Sequence, residues 1–235
     1  MDPICLNSIP FQLDAATLRK KLHVKEGSQH AEELDRLIQE AQTIGKPKAL
    51  YKEAFIESRT DETVTVDGIT FKSRVLRVNL ENVYRVFPYV STCGLELEEW
   101  SKKITDFLHG FWVEEIKETV LYMAGDSFRK HVREHHQLGQ IARMNPGSLV
   151  DWPIEEQRPL FTLLGNAQEL IGVHLTSSLM MVPTKSVSGI IFPTEFDFTS
   201  CQLCPREVCP GRKAPYDKEL YDKKYLLTKG ESSHP

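Results

Sequence analysis

The sequence predicts an α+β fold, with a mixed or antiparallel sheet flanked by long helices, and three observations carry that expectation. Amphipathic helical patterns open the chain and recur near its middle. Strand-like runs are interrupted by helices without the regular alternation of a doubly wound sheet. Residues 159–194 hold only two charged side chains, Glu169 and Lys185, where the chain average of 26% predicts about nine. A stretch so depleted is buried or lines a pocket. At 235 residues the chain is long enough for one large domain, organised as an N-terminal helical segment (1–46), an α+β core (47–200) and a cysteine-bearing tail (201–235).

Asp14 is placed to cap a short helix carrying Leu18 and Leu22 on one face. Ser28 caps a second helix with the stripe Ala31, Leu34, Ile38 and Ala41, which Gly45 closes. Val64 and Val66 alternate with threonines, and Asp67-Gly68 then gives a hairpin signal before Ile69 to Phe71. A second strand runs from Val83 to Val90 and ends at the Ser91-Thr92-Cys93-Gly94 turn. Two helices are expected next, over about 95–109 and 111–137. A helix at 155–164 and strand-like runs at 171–176, 178–183 and 186–192 fill the charge-poor stretch. A charged segment from Tyr216 to Leu227 comes after Pro215, a residue suited to the first helical position.

Charge and termini narrow the classes. The 29 Lys and Arg against 33 Asp and Glu leave a net charge of −4, which argues against a general polyanion binder. The N-terminus, Met1-Asp2-Pro3-Ile4-Cys5, lacks the basic start and apolar stretch of a signal peptide. No window approaches the ~20 apolar residues of a spanning helix. Three of the five cysteines crowd into nine residues, unlike a secreted disulfide framework. A cytoplasmic location is expected.

Among candidate sites, the loop Arg143-Met144-Asn145-Pro146-Gly147-Ser148 joins a long helix to the charge-poor stretch. An arginine there can grip a carboxylate through two hydrogen bonds, and a Pro-Gly turn lets backbone approach a ligand closely. On physics alone an ordinary turn with a surface arginine is the competing reading. Four segments C-terminal to the loop change the weight: Leu160-Phe-Thr-Leu-Leu164, Ile171-Gly-Val-His-Leu-Thr176, Ser178-Leu-Met-Met-Val-Pro183 and Ser186-Val-Ser-Gly189. This ordered series, clear over about residues 120–192, resembles the activation (reactivation) domain of cobalamin-dependent methionine synthase.

The resemblance implies a single domain of that type, working as a free-standing protein. It implies S-adenosylmethionine as ligand, with Arg143 pairing the carboxylate and Pro146 and Gly147 shaping a backbone cradle. Family members continue after the glycine with Tyr-Pro-Ala-Cys-Pro, whereas this chain has Ser148-Leu149-Val150-Asp151-Trp152-Pro153. Trp152 is the candidate replacement for the stacking tyrosine, and Glu134 the nearest acid on the preceding helix. The implied task is to support reductive methylation of cobalamin held by a methionine synthase or another corrinoid protein, with a flavodoxin or ferredoxin as electron donor. Neither nucleic acid nor membrane is implied as partner.

The second candidate is Cys201-x2-Cys204-x4-Cys209. Thiolates at this spacing suit zinc or an iron–sulfur cluster, with Cys93, Cys5, His234 or an exogenous group as the fourth ligand. A redox dithiol and a set of free thiols are the alternatives. The resembled domain lacks this cluster. Its presence keeps two further readings open: a metal-bearing electron-transfer activator, and a non-catalytic docking subunit of a truncated methionine synthase. Cys93, before a glycine and a helix, is either a reactive thiol or a small buried filler. His131 and His135 share a helix face at i, i+4, but the pair lacks the glutamate of a zincin motif. There is no phosphate-binding loop, dinucleotide fingerprint or nucleophile elbow.

Overall fold

A computed structural model describes residues 2–195, 198–209 and 212–225. In chain order its elements are β1 (Ile4–Leu6), α1 (Ala15–Lys21), α2 (Gln29–Ile44), β2 (Lys48–Tyr51), β3 (Ala54–Arg59), β4 (Thr63–Val66), β5 (Ile69–Lys72), α3 (Arg74–Asn79) and β6 (Arg85–Thr92). Then come α4 (Leu95–Ser101), α5 (Phe107–His135), β7 (Ile141–Met144), α6 (Gln157–Leu164), α7 (Ala167–Ile171), β8 (His174–Leu175), β9 (Met181–Val182), β10 (Ser186–Pro193) and α8 (Leu220–Lys224). The chain divides into two compact units: residues 1–52, 89–138 and 164–188 form the first, and 53–88, 139–163 and 189–235 the second. No helix among the described residues is long and apolar enough to cross a membrane.

In the first unit, β2 pairs antiparallel with β1 (Cys5 opposite Leu50) and with the second half of β6 (Leu50 opposite Val90). Asp14 and Ser28 cap α1 and α2 as their sequence positions predict, each side chain accepting backbone N–H bonds from the first turn. The stripe Leu34, Leu37, Ile38 and Ala41 packs with Leu97, Trp112, Val113, Ile116 and Val120 into one apolar cluster. The expected division of residues 95–137 into two helices near Gly110 is corrected. The break falls at 102–106, where Asp106 accepts the His109 N–H, and α5 then runs unbroken through Gly110 for 29 residues. A glycine inside a helix costs only about 1 kcal/mol relative to alanine, and the buried Trp112, Val113 and Ile116 just beyond it outweigh that.

In the second unit, β3 pairs with the first half of β6 and with β4, and β4 with β5, all antiparallel. Asp67 and Gly68 both take positive φ, 44° and 79°, as a tight primed hairpin turn requires. The run expected as a strand at 171–176 divides: Ile171 ends α7, Gly172 turns left-handed at φ 76°, and only His174–Leu175 pair, with Met181–Val182, in the first unit. The Tyr216–Leu227 helix shortens to α8, and its last two residues lie outside the described chain, as does His234.

Candidate functional site

The site grows from β7. Its burial alternates, with Ala142 and Met144 inside and Ile141 and Arg143 half-exposed on the other face. Pairing with β10 sets Arg143 opposite Ile191. Arg143 thus lies within a strand, beside its last residue Met144, where the sequence pattern places it in a loop over 143–148. Among the described residues no hydrogen bond or ion pair engages its guanidinium, a charged fork carried on a strand.

The chain then folds back on itself. The Ser148 N–H donates to the Asn145 carbonyl at 3.1 Å, the Gly147 N–H to the Trp152 carbonyl at 2.8 Å, and the Trp152 N–H to the Leu149 carbonyl at 3.1 Å. Gly147 sits at φ 79°, and a Cβ there would meet Ile154 Cδ1 at 2.8 Å, so two constraints at once demand glycine. Both turn N–H groups are spent inside the loop. The carbonyls of Pro146, Gly147 and Ser148 accept no backbone hydrogen bond among the described residues. The cradle therefore offers a ligand acceptors, where the Pro-Gly pattern alone suggests donors. Pro146 is buried. Trp152 is fully buried, edge-on to Phe71 with centroids 6.3 Å apart, and its indole N–H finds no acceptor among the described residues.

Asp151 ties this loop to its surroundings, accepting the Ser73 hydroxyl at 2.5 Å and the Val75 N–H at 2.9 Å. Glu156 does the same a turn later with the Lys72 N–H at 3.0 Å. Beside the anchored loop lies a cavity of about 1130 Å³ bounded by Gly147, Ser148, Asp151 and Glu155 on one side and by residues 203–206 and 216–222 on the other. Glu134 belongs to the first unit, where it is exposed on α5 and 3.9 Å from Lys130.

The cysteine segment is held by hydrogen bonds of its own. Thr199 caps a short 3-10 turn, Ser200–Leu203, in a reciprocal capping box with Gln202. Arg212 clamps the segment, its guanidinium donating to the carbonyls of Cys201, Cys204 and Ala214, each at 3.2 Å. The Lys213 N–H points at Cys201 Sγ from 3.4 Å. Burial alone raises the Cys201 thiol pKa, but hydrogen bonds from Lys213, Thr199 and Ala214, with the charge of Arg212, hold it below the ordinary value. Among the described residues no three His, Cys, Asp or Glu side chains come close enough to hold a metal ion. The gathering of Cys201, Cys204 and Cys209 around zinc or a cluster that their spacing suggested is thus not seen. Clamped by Arg212, the loop directs its carbonyls, not its sulfurs, toward a common centre. Cys93 is the buried filler, fully enclosed and pushed up to about 12 by burial. His131 and His135 stack at 5.4 Å, and His131 leans on buried Tyr51, whose hydroxyl is 3.2 Å from Nε2.

Asp151, Glu155 and the wall of residues 203–206 and 216–222 had no signal in the sequence beyond a tight turn and the Pro215-Tyr216-Asp217 run. They meet only through folding.

Residues 140–198, about a quarter of the chain, match the family model of the vitamin B12 dependent methionine synthase activation domain; the cysteines at 201–209 fall beyond the match. No curated protein sequence matches the chain significantly. Thirteen solved chains do match by structure. One is the crystal structure of the MetH reactivation domain bound to AdoHcy, with a TM-score of 0.58 and 15% identity over 85% of this chain and 81% of that one. The chain thus has the fold of that reactivation domain and carries, across residues 140–198, the sequence pattern of the methionine synthase activation-domain family.

Proposed function

We propose that this protein binds S-adenosylmethionine and supports reductive methylation, and hence reactivation, of cobalamin carried by a methionine synthase or related corrinoid partner. The observation that carries the reading is the bend at Gly147, which demands glycine and lies on the rim of a ligand-sized cavity, four residues after Arg143 and within the span matched by the activation-domain model. Arg143 pairs the ligand carboxylate. The carbonyls of Gly147 and Ser148 at the cavity rim suit an ammonium or an exocyclic amine, and Asp151 and Glu155 complement a ligand with a positive sulfonium and ammonium. The fold relative is described as bound to AdoHcy, the product of such a methyl transfer.

The cobalamin supplies the chemistry: reduced by one electron from a flavodoxin or ferredoxin, it takes the sulfonium methyl and leaves S-adenosylhomocysteine. The protein's contribution is to hold the methyl donor in place, an effect of proximity rather than of proton transfer. Such a partner and reductant imply a cytoplasmic setting. Calorimetry with S-adenosylmethionine and S-adenosylhomocysteine tests the reading. Replacing a charge-assisted pair removes about 1.5–3 kcal/mol, so Arg143→Ala should weaken binding roughly tenfold to a hundredfold. Absence of heat with the parent protein removes the proposal.

A further inference from the structure

The tail beyond the family match does more than end the chain. It forms the second wall of the cavity, with Leu203, Cys204, Arg206, Tyr216, Tyr221 and Asp222 facing the 147–155 loop. This wall is built in rather than loosely laid down. Tyr225, at the end of α8, is fully buried; its hydroxyl donates to Asn79 Oδ1 at 2.9 Å and its carbonyl accepts Arg74 Nε at 2.6 Å. The Asp217 N–H donates to the Gln202 carbonyl at 2.8 Å, fixing the backbone beside Tyr216 against the cysteine turn. Arg212 closes the same turn from the other direction.

What this anchored wall presents is chemically mixed. Tyr216 remains 45% exposed although the backbone beside it is fixed, so an aromatic face is left open toward the cavity. Tyr221 lies with its phenol against the Asp151 carboxylate. Asp151, Glu155 and Asp222 outnumber Arg206 and Lys218 around the space, and the carbonyls of Gly147 and Ser148, which accept no backbone hydrogen bond among the described residues, add acceptors. Flat aromatic walls with acceptors around them fit a heterocycle carrying hydrogen-bond donors, and an excess of carboxylates fits a ligand that is neutral or cationic there.

We infer that the tail residues 203–206 and 216–222 form the specificity wall of the ligand site, with Tyr216 and Tyr221 holding the purine and ribose half of an adenosyl ligand against the Gly147–Glu155 loop. The inference rests on the proposed S-adenosylmethionine site and deepens it. The aromatic contact absent at position 148, where a serine succeeds the Pro-Gly pair, is supplied from some 70 residues further along the chain.

The test uses the full-length protein with adenosine, S-adenosylhomocysteine and S-adenosylmethionine as probes. Stacking on an aromatic side chain contributes enough that Tyr216→Ala should weaken all three roughly tenfold. Tyr216 is exposed, so an unchanged melting temperature shows the variant folds. Cys204 lines the cavity and Cys209 does not. Saturating S-adenosylhomocysteine should therefore slow alkylation of Cys204 by N-ethylmaleimide while leaving Cys209 unaffected. If binding depends on Arg143 but neither on Tyr216 nor with protection of Cys204, the tail wall is refuted and the ligand assignment survives. If adenosine binds through Tyr216 while Arg143→Ala changes nothing, the wall stands and the arginine's role falls. No binding of any probe overturns both.

Discussion

Replacing Lys117 by methionine should cost the first unit much of its stability, and the structure sets the size of the loss. Lys117 is 2% exposed in its side chain and bonds Glu98 at 2.9 Å, Glu114 at 2.7 Å and the Ser101 hydroxyl at 3.0 Å. Glu98, 8% exposed, also accepts the Thr184 N–H at 3.3 Å and hydroxyl at 3.1 Å, so the pair ties α4 and α5 to the turn before β10. Burial alone would raise Glu98, but Lys117 and Thr184 hold it below the ordinary carboxylate pKa. Burial pulls Lys117 down, and Glu114 and Glu98 outweigh it and hold it above the usual lysine value. Glu98 therefore adds stability above about pH 4.3 that is lost as pH falls through its lowered folded value. Lys117 adds stability below about pH 10.4 that is lost as pH rises through its raised one.

Methionine fills the space of the lysine stem but strands Glu98 as a buried carboxylate. Removing one partner of such a pair costs about 3–5 kcal/mol. The variant's escape is to protonate Glu98, which at pH 7 costs about 3.7 kcal/mol, from 1.36 kcal/mol per unit over the gap to an unfolded pKa near 4.3. The two bonds from Thr184 remain, so the expected loss at pH 7 is about 3–4 kcal/mol, shrinking to about 1 kcal/mol at pH 5 as protonation becomes cheap. Urea denaturation at both pH values reads this directly, and Glu98→Gln added to the lysine variant should restore most of the loss at pH 7. A deficit under about 1 kcal/mol at pH 7, or one that does not narrow at pH 5, would refute the reasoning.

Two further outcomes rest on local geometry. Gly147→Ala must place a side chain at φ 79° and 2.8 Å from Ile154 Cδ1, so stability should fall by about 1–2 kcal/mol and the ligand's calorimetric signal should weaken. Adding Ile154→Ala should relieve the contact but not the backbone strain, leaving a residual loss in the melt. In alkylation followed by peptide mapping near neutral pH, Cys201, held below the ordinary thiol value by the Lys213, Thr199 and Ala214 hydrogen bonds despite its partial burial, should label promptly. Cys93, fully buried and near 12, should label only on unfolding. Equal rates at the two sites would contradict this packing.

What was legible in the sequence was local. Asp14 and Ser28 announced helix starts because a cap needs only a side-chain oxygen and the next three residues. Asp67-Gly68 announced a hairpin because both residues tolerate positive φ. The Gly110 error has the opposite origin. Its local penalty was readable, while the packing that overrides it comes from α2 and α4, distant in the chain. Arg143 was visible as a residue type, but its place on β7 depends on pairing with Ile191, 48 positions later.

The tail is the extreme case of that distance problem. Cys201, Cys204 and Cys209 invite a metal reading because proximity in sequence is all that spacing can report. Folding adds Arg212, which draws the carbonyls of Cys201 and Cys204 toward one guanidinium, and Tyr225, which pins the far end of the segment to α3 through Asn79 and Arg74. A short loop has only so many directions in which to point its atoms. One closed around a guanidinium through its carbonyls is free to present Cys204 to the neighbouring cavity, with Tyr216 beside it. The arginine three residues beyond the last cysteine was therefore the more informative residue of the segment, because a half-buried cation must collect acceptors and so fixes the loop around itself.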